Sequence, residues 1–475
     1  MKTLVKAGLW CAAIAAAAAV FLYATPYGAF ALNGPSVSAG VSAELACGGV
    51  FVSGRKLDDV IRNDVERISP LTKWNRFDLD RAAETVTVTA IGLRSRTALY
   101  RPGAGCTLLV EDDANSLRAQ AAGMNAAGPA FRPQEWPLGD RVDPMDIPKG
   151  VDRAALERAV RDAFADETPD RQIDTRAIVV VYGGRIVAER YAPGFDANMP
   201  MLGWSASKSV TATLIGTLLA DGELKLDAPA PVPEWRGPND PRGEITLRQL
   251  LNMSSGLEFR EPYDPGYDST DMLFQRHDMA AFAAAKPLAH APGTVWSYSS
   301  GTANILSRIV FEMAGGTLKS YEAYAREHLF GPAGMTSAVF EPDETGDFVG
   351  SSYLYMSARD WARFGLLYLD RGVAGGNRIV TDDFVDFVRA PAPADPNKGY
   401  GGQFWLNGFA DPARGARQFP HLPADMYSAE GHNDQFVAII PSRDAVIVRL
   451  GWSTRDNLFD RDKHFARILA ALPKR

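Results

Sequence analysis

The chain has 475 residues, of which 46% are hydrophobic, 23% charged and 10% aromatic. That length and composition exclude a disordered, collagenous or polytopic membrane chain and leave room for two or three cores. Lys plus Arg number 50 against 57 Asp plus Glu, a net charge of −7, and with no basic run there is no footprint for a nucleic-acid partner.

At the N-terminus, Lys2 and Lys6 precede an apolar run of 18 residues from Ala7 to Ala24, and no charged residue follows until Glu44. Two cations before such a run are the pattern of a translocated segment, and Ala29-Phe30-Ala31 offers a small-residue cleavage signature. Residues 1–31 are therefore expected to be a signal peptide or a membrane anchor. The rest of the chain should be exported, periplasmic or held outside the cytoplasm by membrane attachment through residues 7–24. Cys11 lies in that segment, which leaves Cys47 and Cys106 as the possible intrachain pair in an oxidising compartment, and a disulfide between them is expected.

Residues 32–120 are expected to form a small N-terminal unit. Within it, Glu84 to Ile91 alternates with period two, as a half-buried strand does, and Arg94 to Tyr100 could pair with it. Residues 121–150 turn to Gly, Pro, Asn and Asp and read as a surface linker. From 151 to 475 the pattern changes again. Val151–Ala165 is helix-like, and the apolar runs Ala177–Val181 and Arg185–Arg190 are hinged by Gly183-Gly184, a hairpin signal. Helical patterns follow at Ser209–Asp221, Thr246–Leu251, Ala303–Ala314, Ser320–Leu329 and Ala358–Asp370. Phe436–Ile440 and Ala445–Leu450 then make a second strand pair, and Lys463–Ala471 a last helix. Strands at both ends with helices between them imply an α+β fold whose sheet is assembled from distant sequence.

The chemistry concentrates in three places. In Ser205-Ala206-Ser207-Lys208, a spacing of three at a helix start puts both side chains on one face, so the ammonium can reach the hydroxyl. Free N–H groups and the positive dipole end lie beside that serine. An apolar stripe of Val210, Leu214, Ile215, Leu218 and Leu219 supports the helix. A second S-x-x-K, Ser53-Gly54-Arg55-Lys56, has no apolar helix behind it and reads as a solvated turn. Tyr298 lies 93 residues after Ser205, in a polar, turn-rich stretch ending at Ser300 and Gly301. Glu430-Gly431-His432-Asn433-Asp434-Gln435 precedes the strand at Phe436. The remaining histidines show no ligand spacing, and no metal or cofactor is expected. Trp204 and Trp405 read as packing residues. A G-x-S-x-G elbow is missing, which argues against an α/β-hydrolase.

S-A-S-K, then Y-S-S, then G-H-N-D-Q before a C-terminal strand resembles the serine β-lactamase and penicillin-binding-protein-like hydrolases. Within them the chain is most similar to class C β-lactamase-related esterases and 6-aminohexanoate-dimer hydrolases. Ile245–Leu257, Tyr355–Gly365 and Ile440–Gly451 extend the likeness over about residues 173–472. The resemblance implies an antiparallel sheet flanked by helices with a helical subdomain. It also implies Ser205 as nucleophile, Lys208 as its partner and Tyr298 as the second-motif tyrosine, with His432 in the place of the third motif's Lys or His. The oxyanion hole would be the backbone N–H groups of Ser205 and Gln435. Ser300 stands where β-lactamases of this type carry Asn, and Asp434 where the third motif has Gly; Asp434 could narrow the wall or contact a polar substrate group. The expected activity is cleavage of an ester or small linear amide through a Ser205 acyl-enzyme, with Lys208 or Tyr298 as general base. Two alternatives are a peptidoglycan D,D-peptidase or β-lactamase, disfavoured by Ser300, and a non-catalytic envelope binding protein of the same fold, favoured by Asp434.

Overall fold

Val86, Val88 and Ala90 are buried while Thr85, Thr87 and Thr89 between them are only half-buried, the alternation of a strand with one face on a core. The computed structural model describes residue 10 and residues 26–124, 132–143, 145–165, 172–453 and 459–474. The apolar run Ala7–Ala24 lies outside them except for Trp10. Helix α1 (Pro26–Cys47) runs across the expected cleavage signature and lies over a four-stranded antiparallel sheet, β1 (Arg76–Asp80), β2 (Thr85–Ala90), β3 (Arg94–Arg101) and β4 (Gly105–Leu109). The helical stretch Phe30–Val52 is long and apolar enough to cross a membrane, but most of it is buried inside the protein, so it reads as a core helix. On the other face of the sheet, cross-strand hydroxyl pairs join Thr87 to Thr97 and Thr89 to Ser95, each at 2.8 Å.

The expected disulfide is present: Cys47 at the end of α1 is bonded to Cys106 on β4 across 59 residues. Closing a loop of that size removes about 4 kcal/mol of unfolded-chain entropy in the loop-closure account.

This unit docks on the rest of the chain through the loop 341–347. Glu341 Oε1 accepts from the Cys106 N–H (2.8 Å), Thr107 Oγ1 donates to the Pro342 carbonyl (2.6 Å), and Glu344 accepts from the N–H groups of Val110, Glu111 and Asp112. Glu44 of α1 is buried in the same seam, and desolvation raises its carboxyl to about 8 against the pull of Arg101. Glu341 beside it is raised as well, first by burial and then by Glu44. A carboxyl raised on folding favours the folded state most below its ordinary value and loses that contribution as pH climbs through the folded value. The thermal midpoint should therefore fall between about pH 5 and pH 8, and Glu44→Gln, which carries no charge to desolvate, should flatten the fall. Calorimetry across that range checks it; identical slopes in both proteins would refute it.

The larger part is a three-layer arrangement. Its six-stranded antiparallel sheet has the order β7 (Trp405–Leu406), β8 (Tyr427–Gly431), β9 (Gln435–Ile440), β10 (Ala445–Gly451), β5 (Thr175–Tyr182), β6 (Arg185–Tyr191). Strand β10 pairs with β5, for example Val446 with Val181, which joins the two ends of the sequence. One face packs Val179, Val181, Val437, Val446 and Val448 into the main core. The other packs Ile178, Val180, Phe436 and Ile447 with residues of α2 (Arg153–Asp162) and α6 (Arg461–Ala470). Helix α3 (Ser207–Ala220) runs through the centre, followed by α4 (Ser300–Met313) and α5 (Ala358–Leu369). Gly365 lets α5 approach the sheet, because a Cβ there would lie 2.4 Å from a Val446 methyl.

Two expectations change. Helix α3 does not present one apolar stripe: every residue from Ser207 to Leu218 is buried, and Thr211, Thr213 and Thr217 spend their hydroxyls on Gly350 O, Tyr368 and Tyr324. The Ser53–Lys56 stretch is not a solvated turn, because Ser53 donates to Pro200 O (2.8 Å) and buried Arg55 bridges Asp59 and Asp64. The described part of the 121–150 stretch runs against the rest of the chain: Trp136 Nε1 donates to Gly184 O (3.0 Å), and Arg363 donates to Pro137 O and Gly139 O (2.7 and 2.6 Å).

Candidate active site

Trp204–Ala206 forms a single 3-10 turn that feeds directly into α3. Trp204 takes a left-handed φ of 49° there, unusual for a bulky residue and of the kind held in place by its surroundings at functional turns. The turn leaves Ser205 half-buried at the head of the central helix, with Lys208 one turn on and 1% exposed.

Lys208 Nζ donates to Ser205 Oγ (3.0 Å), to Ser300 Oγ (3.1 Å) and to the Ser351 carbonyl (2.9 Å). Burial lowers its pKa to about 8, partly opposed by Glu261, so about a tenth of it is the neutral amine at pH 7. Tyr298 lies against the same ammonium, 4.9 Å from Nζ to the ring centroid. Desolvation pushes the phenol well above its ordinary value, which keeps it protonated. Tyr400 and Trp405 box in the Tyr298 ring, with centroids at 5.9 and 5.4 Å.

Ser300 opens α4, and its hydroxyl is turned inward. It donates to Glu261 Oε1 (2.6 Å) while its N–H donates to Glu261 Oε2 (2.7 Å). Ser300 thus joins the Lys208 ammonium to the half-buried Glu261 carboxylate. Burial raises the Glu261 pKa, and Lys208 and the Ser300 hydrogen bonds pull it back. Sequence reasoning missed Glu261. It sits in a loop with no helical or strand pattern, and only the return of that loop over α4 brings it to the site.

Ser205 and Tyr298 open on a cleft of about 560 Å³, whose other walls include Glu261, Tyr263, Trp405, Glu430, Gly431 and His432. Exposed His432 lies between Tyr263, stacked at 6.1 Å, and Trp204, edge-on at 5.7 Å. Trp405 therefore walls the cleft as well as packing. Glu430 is paired with Arg461 and accepts from Ser428 Oγ, an acid-base pair that the sequence separates by 31 residues.

The strand that runs most closely against the Ser205 turn is β8. A Cβ on Gly431 would lie 2.1 Å from Gly203 O, so the backbone at the end of β8 runs directly against that turn. Gln435 belongs to β9 and does not wall this cleft. Its carboxamide is spent on His432 O, Asn433 O and the backbone of Gly451, which makes it the brace of the turn. Asn433 and Asp434 both take left-handed φ (60° and 64°). Asn433 donates to Ser453 O (2.7 Å) and Asp434 accepts from Phe459 N–H (2.9 Å). Asp434 reaches the cleft wall, but its carboxylate is engaged behind it. The side chains of Gln435 and Asn433 thus support the β8–β9 turn, and strand β8, absent from the sequence reading, lies beside the Ser205 turn. Among the described residues, no group of three or more His, Cys, Asp or Glu is placed to hold a metal ion.

The profile of the Beta-lactamase family matches residues 155–472. The chain belongs to that family. Like other members it places helices around an antiparallel sheet. A 6-aminohexanoate-dimer hydrolase of Paenarthrobacter ureafaciens is 27% identical over 356 residues, covering 67% of this chain and 85% of that protein. Esterase EstB of Burkholderia gladioli is 28% identical over 192 residues, 35% of this chain and 48% of the esterase. A solved structure described as a putative 6-aminohexanoate-dimer hydrolase from Bacillus anthracis superposes with a TM-score of 0.53 at 23% identity, over 70% of this chain and 85% of that one, a likeness of fold. This Beta-lactamase family member thus has relatives named as amide and ester hydrolases.

Proposed function

We propose that the protein is an exported serine hydrolase that cleaves an ester or a small linear amide through an acyl-enzyme on Ser205. The observation that carries this reading is the convergence of Lys208 Nζ on Ser205 Oγ at 3.0 Å within a buried, desolvated site. Neutral Lys208 takes the Ser205 proton as Oγ attacks the carbonyl carbon. Tyr298, kept protonated by burial, passes a proton to the departing alcohol or amine and recovers it as water enters to release the acid. The Ser205 N–H at the head of α3 and a backbone N–H at the end of β8 stabilise the oxyanion, each worth about 2.7–4 kcal/mol by analogy with single-donor deletions. Ser300 supports a linear ester or amide over a β-lactam, because its hydroxyl is committed to Glu261 and offers the substrate no side-chain amide. Residues 7–24 and the Cys47–Cys106 disulfide support export and membrane attachment.

A fluorophosphonate probe that phosphonylates reactive serines tests the assignment. Wild-type protein should take one label per chain, mapped by mass spectrometry to Ser205, with a fluorescent penicillin labelling it poorly. A folded wild-type protein that takes no fluorophosphonate overturns the hydrolase reading, and stable penicillin labelling would move the substrate class to β-lactams or D,D-peptides.

A further inference from the structure

The N-terminal unit carries an apolar surface at some distance in sequence from the catalytic residues. In the 3-10 helix Pro70–Trp74, residues three apart eclipse, so Leu71 (43% exposed) and Trp74 (72%) share one face, with Ile68 (38%) three residues before them. Arg76 pairs with Thr89. That pairing brings the end of the 3-10 helix toward the β2–β3 turn, where Ile91 (47% exposed) and Leu93 (65%) lie. Single exposed apolar residues are ordinary, but a cluster of this size marks a contact surface.

The charge around it is one-sided. Residues 68–77 and 89–97 contain Lys73, Arg76, Arg94 and Arg96 and no acid, in a chain whose net charge is −7. The nearest acids on the same elements are Glu66, two residues before the first stretch, and Asp78, immediately after it. Lys73, Arg76 and Arg94 are exposed, and Arg96 is half-buried.

The orientation of the surface follows from two fixed points. Cys47 at the end of α1 is bonded to Cys106, which pairs with Tyr100 near the end of β3. The start of β3 and the Ile91–Leu93 turn therefore point toward the beginning of α1. At that same end, Asn75 Nδ2 donates to Ser42 Oγ (2.8 Å) and Ser38 Oγ (3.0 Å), pinning the residue after Trp74 to α1. Helix α1 follows the apolar run Ala7–Ala24 in sequence, and Phe30 and Leu32 near its start are 42% and 41% exposed. Apolar tips, an aromatic ring and flanking cations on the side where an apolar segment joins are the composition of a membrane interface.

We propose that Ile68, Leu71, Trp74, Ile91 and Leu93, with Lys73, Arg76, Arg94 and Arg96 around them, form a second membrane contact that rests on anionic phospholipid headgroups. It holds the N-terminal unit flat on the bilayer and fixes the direction in which the catalytic cleft faces. This inference is independent of the hydrolase reading, since none of these residues touches Ser205, Lys208 or Tyr298.

The test uses the full chain reconstituted in phosphatidylcholine vesicles containing a quarter phosphatidylglycerol. An environment-sensitive fluorophore is placed at Leu93→Cys in one sample and, as control, at Arg414→Cys on the catalytic region, where the side chain is 85% exposed. Nitroxide-labelled lipid should quench position 93 at least about threefold more than position 414. Replacing phosphatidylglycerol by phosphatidylcholine, or adding Leu71→Asp and Trp74→Asp, should lower that excess, with the fold checked by near-ultraviolet circular dichroism. Equal quenching at the two positions overturns the proposal. So does a position 93 shielded from aqueous iodide without lipid quenching, which would show that a second copy of the chain covers the surface.

Discussion

Ser205→Ala is expected to remove p-nitrophenyl ester turnover, by about a millionfold in kcat if deletion of the nucleophile behaves as in other serine hydrolases. The side chain lost is small and half-buried, and Lys208 keeps Ser300 and the Ser351 carbonyl as partners, so the thermal midpoint should move by no more than the equivalent of about 1 kcal/mol. Loss of activity without loss of stability separates a chemical role from a structural one. Turnover in the variant at the wild-type rate would show that another group attacks the substrate.

Lys208→Ala is expected to lower the rate several hundredfold or more and to change the shape of its pH dependence. In the wild type, kcat/KM should rise with pH through about 8 as the buried ammonium gives up its proton, because only the neutral amine can accept from Ser205. Lys208→Arg keeps the charge and cannot deprotonate, so it should be nearly as inactive as the alanine variant. Glu261 raises the lysine value, so Glu261→Gln should move the rising limb to lower pH. A Lys208→Arg enzyme with substantial activity would transfer the base role to Tyr298. An unchanged limb in Glu261→Gln would mean that the limb does not report Lys208.

Much of this was written locally in the chain. The Ser205–Lys208 spacing acts over one helical turn, the Gly183-Gly184 hinge closes a hairpin between neighbouring residues, and the β2 alternation records a strand with one buried face. Each depends on contacts a few residues apart, which periodicity reports directly. Glu261, Tyr263 and the Glu430–Arg461 pair carry no such mark. They lie on loops or at element ends, and their neighbours come from segments tens of residues away.

Strand β8 shows the same limit most sharply. Its residues, Tyr-Ser-Ala-Glu-Gly, are too few and too mixed to read as a strand. Only its pairing with β9 and the close approach of Gly431 to Gly203 bring it beside the Ser205 turn. In the N-terminal unit, the alternation of β2 was legible, but the burial of α1 against it was not. An apolar helix has the same sequence pattern whether lipid or protein covers it.

By itself, the sequence determined the family, the Ser205–Lys208 pairing at one helix start, the disulfide partners and the two-ended make-up of the main sheet, because each follows from short-range spacing or from a small number of possible pairings. Tertiary structure alone decided which strand flanks Ser205, that Ser300 faces the Glu261 carboxylate, and how far Lys208 is desolvated. Those properties depend on which distant groups exclude water from the site, and chain order does not encode that exclusion.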